Sequence, residues 1–134
     1  QEGVITMNRF FSFSLILILS LAVTISVSAQ AKKAMKEVTV TGEVIDTKCY
    51  LTGMMGGSGE EHKQCAIDCI KGGLPVGVLE KKTNKVYVVV PKAGTKGANE
   101  ELVQYAAQSV KLTGTVAEKG GQKLLVYSSV ELAK

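Results

Sequence analysis

The chain has 134 residues, a formal net charge of +4, three cysteines and a single histidine, which leaves room for one small folded domain. All three phenylalanines (Phe10, Phe11, Phe13) and the only arginine (Arg9) precede Gln30; beyond it, 15 scattered lysines face 11 carboxylates, and the aromatic residues are Tyr50, Tyr87, Tyr105 and Tyr127. A nucleic-acid surface wants arginine and stacking rings in a basic stripe, so this composition argues against nucleic acid as a partner. One histidine and no arginine likewise argue against a conventional hydrolase or phosphoryl-transfer site, and no catalytic motif is found.

The elements follow in chain order. Met7 is the expected initiator, which makes residues 1–6 a non-native or over-extended start. Residues 7–29 have the layout of a signal peptide: Arg9, the apolar run Phe10 to Ile25, then the small-residue exit Val27-Ser28-Ala29. The alternative is a permanent anchor, in which case the uncleaved signal segment is the only contact with a membrane. Export places the working protein in the periplasm or outside the cell.

Residues 30–36 form a Lys-rich lead-in to a single domain, 37–134. Val38, Val40, Gly42 and Val44 alternate with Thr39, Thr41 and Glu43, the period-two pattern of a half-buried strand reaching to about Cys49. Met54 to Gly59 is a Gly-rich loop. Ser58 and Glu61 have capping-box spacing, which predicts a helix over 59–71, closed by Gly72-Gly73 and Pro75. Strands are expected at 76–81 and 85–90, turning at Lys82-Thr83-Asn84. Asn99 is positioned to cap a short helix over 100–108, and two last strands span 110–119 and 123–132 around Gly120-Gly121.

Val38 to Val44 is echoed by Val110 to Val116, each with a central glycine that marks a bulge or bend. Five strands with a helix between the third and fourth is the order of an OB-fold-like barrel: all-β with small helices, and a helical insertion between strands 1 and 2. A different small barrel or sandwich is the competing arrangement. In this fold the connection after strand 1 is a place where binding function collects.

That connection holds every cysteine and the histidine. At about 100° per residue of helix, His62, Cys65 and Cys69 fall within about 60° of one another. If the Gly-rich loop folds back, Cys49 meets them and completes a Cys3His set chemically suited to zinc or to copper as Cu(I). Asp46 and Asp68 are candidates to hydrogen-bond His62 from behind. Met54 and Met55 add thioethers that could serve Cu(I) or haem iron, although loop methionines more often pack on a core. The chain lacks Cys-x-x-Cys, so it carries neither a zinc-ribbon knuckle nor a thioredoxin motif, and no c-type haem attachment motif is present.

The competing chemistry is oxidation. An exported protein meets oxidising conditions, and Cys49 could form a disulfide with Cys65 or with Cys69. The odd third cysteine is then a buried or reactive thiol. Three functions follow from these readings: a metal-binding protein, a disulfide-stabilised interaction module with an unknown protein or small-molecule partner, and a thiol redox protein.

Gly42-Glu43-Val44-Ile45-Asp46, then Cys49, then His62-Lys63-Gln64-Cys65-Ala66-Ile67-Asp68-Cys69 running to Gly72-Gly73-Leu74-Pro75, resembles a group of small, mostly uncharacterised exported bacterial OB-fold-like proteins. The resemblance covers Gly42 to Pro75. It implies that Cys49, His62, Cys65 and Cys69 act as one unit, and it names no reaction. The OB-fold haem chaperones of cytochrome maturation share the expected fold and not this motif.

Overall fold

The computed structural model describes residues 35–134; the expected signal segment and most of the lead-in lie outside the described residues. The strands are β1 (Glu37–Asp46), β2 (Val76–Glu80), β3 (Val86–Pro91), β4 (Ser109–Lys119) and β5 (Gln122–Leu132). The α-helices are α1 (Thr47–Thr52), α2 (Lys63–Lys71) and α3 (Asn99–Leu102), with 3-10 turns at Met54–Gly56, Glu60–His62 and Val103–Tyr105. The five strands close into a barrel in the order β1-β2-β3-β5-β4, every pair antiparallel except β3 with β5. This is the OB-fold-like barrel that the element order anticipates.

The alternation along β1 aims Val40 and Val44 into the barrel, where they meet Val78, Val89, Leu112 and Leu125. Ala66 and Ile70 of α2 join the same core, as do Leu102 of α3 and Ala106. A fully buried leucine such as Leu112 contributes roughly 2 kcal/mol by leaving water.

The echoed segments turn out to be neighbours. β1 and β4 pair antiparallel, with Val38 opposite Gly114 and Gly42 opposite Val110. A β-bulge falls between Thr113 and Gly114, and a Cβ at Gly114 would overlap the Val126 carbonyl of β5. Gly42 is equally constrained by the Leu79 carbonyl of β2. The bulge at Gly114 lets the long β4 bend as the barrel closes, and Gly42 lets β1 lie close against β2.

Three expectations need correction. β1 stops at Asp46, not near Cys49, and a helix takes over at once. The expected helix over 59–71 is a 3-10 turn followed by an α-helix that begins only at Lys63. Its capping box does not form: no side chain caps the turn, and the Gly59 N–H donates instead to Glu43 Oε1 at 2.6 Å. The helix expected over 100–108 is α3 plus a 3-10 turn, ending at Tyr105. Asn99 does not cap it; the Asn99 amide donates to the Ile70 and Leu74 carbonyls, at 2.8 and 2.7 Å, and so ties the end of α2 to α3.

Candidate metal centre

The site is built in the connection between β1 and β2. Its first hinge is Asp46, whose Oδ1 accepts from the Cys49 N–H at 2.8 Å and so caps α1. The cap stops the strand and turns the chain, which carries Cys49 inward until it is fully buried. Thr47 closes the other side: its N–H and its hydroxyl both donate to the Pro75 carbonyl, at 3.1 and 3.0 Å.

After α1 the chain doubles back through the Gly-rich loop. Gly57 packs so tightly that a Cβ there would lie 2.7 Å from the Tyr50 Cα, and its φ of +72° suits glycine. Met55 holds a left-handed conformation (φ 49°, ψ 40°) that non-glycine residues seldom adopt. That conformation presents the Met55 carbonyl to the site.

His62 occupies the last position of the 3-10 turn ahead of α2, so the face argument for an unbroken helix does not describe it. Its Nδ1 lies 3.1 Å from the Met55 carbonyl and its Nε2 lies 3.1 Å from Asp46 Oδ2. The Met55 carbonyl can only accept, so Nδ1 donates to it, and Nε2 and Asp46 Oδ2 share the hydrogen bond between them. The pair is sealed from solvent, with exposures of 1% and 0%.

The sulfurs gather beside this pair. Cys49, Cys65 and Cys69 offer three sulfurs within 4.8 Å of one another, and Asp46, Cys49 and His62 form a second such triad. Cys49 belongs to both. His62 is thus next to Cys49 but is not drawn into the group with Cys65 and Cys69. Of the two carboxylates considered from sequence, Asp46 is the histidine's partner. Asp68 is exposed and accepts instead from the Gln64 side chain at 3.0 Å.

Neither alternative disulfide forms: all three cysteines are free, and Cys49 Sγ lies 3.9 Å from Cys69 Sγ. A disulfide requires about 2 Å. The spacing is a thiol–thiol contact, and a separation of this size also fits two ligands of one tetrahedral ion.

Burial, then the contacts with Cys69 and Asp46, push the Cys49 thiol up to about 12. Burial also raises Cys69, against the opposing effect of its contact with Cys49. A redox-active cysteine needs the reverse, an electropositive setting that favours thiolate at neutral pH. The pair is therefore poorly placed for thiol redox chemistry unless a cation displaces its protons. A bound metal ion supplies that cation.

Sequence spacing brought the four Cys and His positions to one place. The Asp46–His62 pair was legible only as one of two options, and the cap on α1 was missed. The signal for it was present: Asp46 stands three residues before Cys49, at the position that favours Asp, Asn, Ser or Thr. Among the described residues no helix is long and apolar enough to cross a membrane. Comparison of the chain with family models, curated proteins and solved structures gives no match.

Proposed function

We propose that this is an exported metal-binding protein, in which a small barrel displays one site for a thiophilic transition ion. Cys49, Cys65 and Cys69 are the ligands, and His62 stands beside them on Asp46. The observation that carries the reading is the convergence of three sulfurs, one from α1 and two from α2, within 4.8 Å of one another. Soft thiolate sets of this kind select zinc, Cu(I) or iron–sulfur chemistry over hard cations. Export rests on the N-terminal pattern of Arg9, the apolar run and the small-residue exit.

The test is elemental analysis with thiol counting on protein taken anaerobically from its native compartment. One metal equivalent, with thiols that react only after chelation, is the expected result. Metal-free protein with Cys49 and Cys69 oxidised to a disulfide would sink the proposal and favour a disulfide-stabilised interaction module.

A further inference from the structure

We infer that the ion is Cu(I), held by Cys49, Cys65 and Cys69 alone, with His62 left on Asp46 and the Met54-Met55 loop serving as its route of uptake. The inference rests on the metal-site reading above and adds the ion, the ligand number and the path.

The first argument concerns the fourth ligand. Structural zinc is almost always four-coordinate and tetrahedral. The donors beside Cys49 that could complete such a site are His62 and Asp46, and they are engaged with each other, His62 also with the Met55 carbonyl. Moving Nε2 onto a metal would strip Asp46 Oδ2 of its hydrogen-bond partner. That carboxylate is completely buried and would retain only the Cys49 N–H. A buried charge that loses its partner is strongly destabilising.

A three-coordinate ion avoids this. Cu(I) is a soft, closed-shell cation that three thiolates satisfy without a fourth ligand. Binding breaks three S–H bonds and forms three Cu–S bonds. Three protons go to solvent and no electron moves. The resulting unit carries two negative charges.

Met54 and Met55 are 46% and 69% exposed, on the loop whose backbone reaches the site. Thioethers are soft ligands that suit Cu(I). The left-handed Met55 joins the two regions directly: its side chain is exposed while its carbonyl holds His62. An ion captured by the thioethers would pass on to Cys65 and Cys69, both only partly covered.

The experiment loads anaerobic, reduced protein with one equivalent of Cu(I), supplied as its acetonitrile complex, or with Zn(II) sulfate in parallel. X-ray absorption then reads the ligand shell at each edge. The expected result is copper with three sulfurs and no nitrogen, and the same shell in His62→Gln. The paired substitution Met54→Leu with Met55→Leu slows Cu(I) transfer from a coloured chelator and leaves the final stoichiometry and the zinc arm unchanged. A histidine nitrogen on copper, or zinc bound in preference to copper, overturns the ion and ligand number while leaving the metal site standing. Unchanged transfer in the methionine variant overturns the uptake route. Failure of both ions to bind overturns the site itself.

Discussion

The barrel and the connection between β1 and β2 are held together by different physics. Inside the barrel the contacts are mainly apolar: Val40, Val44, Val78, Leu112 and Leu125 pack together with Tyr87 and Tyr127, whose hydroxyls donate to Glu80 and Glu101. The buried polar residues of the described chain, Asp46, Thr47 and His62, all belong to the connection or to the strand end that enters it. Each has its hydrogen-bond partner, and no buried side-chain nitrogen or oxygen among the described residues lacks one. The barrel depends on shape. The connection depends on a hydrogen-bonded network around three sulfurs, which is the arrangement that a ligand site needs and a stability element does not.

Substitutions can break this contrast. The largest effect is expected from Asp46→Ala, which removes the α1 cap and leaves the buried His62 Nε2 without its partner; urea unfolding should show a loss of roughly 3–5 kcal/mol. A loss below about 1 kcal/mol would mean that the network is ornamental. Gly114→Val comes next. The new side chain collides with the β5 backbone at the bulge, costing about 3 kcal/mol through a steric route that neither salt nor pH relieves.

Asn99→Ala tests the tie between the two regions. It deletes two hydrogen bonds to the Ile70 and Leu74 carbonyls, and a loss of about 2 kcal/mol is expected in the same assay. Amide exchange should quicken in α2 before it quickens in the barrel strands.

The smallest effect is the response to alkali. Burial raises Cys49, Cys69, Tyr87 and Tyr127, and Glu101 adds to the shift at Tyr127 by accepting from its hydroxyl. Above about pH 9 the unfolded chain sheds thiol and phenol protons that the fold keeps. The unfolded state then binds fewer protons, so stability present at lower pH is lost as pH rises. Thermal melts of metal-free protein between neutral and alkaline pH should fall accordingly, and Tyr127→Phe should flatten part of the slope.

The two regions also differ in how well the sequence disclosed them. The barrel was legible because its strands alternate with period two and its glycines mark bends. Gly42 and Gly114 announced their role before any coordinates did. In the connection, composition gave the right residues and local geometry went astray. Alternation carried β1 past Asp46 because Ile45 and Thr47 read as strand formers, whereas the Asp46 side chain offers the backbone a better partner as a cap. The Ser58-x-x-Glu61 spacing promised a helix start that the Gly59 to Glu43 bond replaces. Asn99 read as a local cap, but its amide reaches carbonyls 25 and 29 residues away, a tertiary use that no short-range rule contains. His62 and Cys49 were grouped by their chemistry, while the pairing of His62 with Asp46 emerged only from distances.

The two hydrogen bonds from Thr47 to the Pro75 carbonyl set the two ends of the connection side by side across 28 residues. A segment whose ends already touch can be lengthened or exchanged at its loops without asking the surrounding strands to move. The barrel is in that sense a chassis, and the sulfur-bearing segment a cartridge clipped into one of its turns. Joining Thr47 to Pro75 by a short Gly-containing turn should close the chain and remove the site, at the cost of the Ala66 and Ile70 core contacts and the Asn99 tie. Grafting residues 46–75 between two antiparallel strands of another barrel would carry the cap, the loop and all three cysteines as one heritable part.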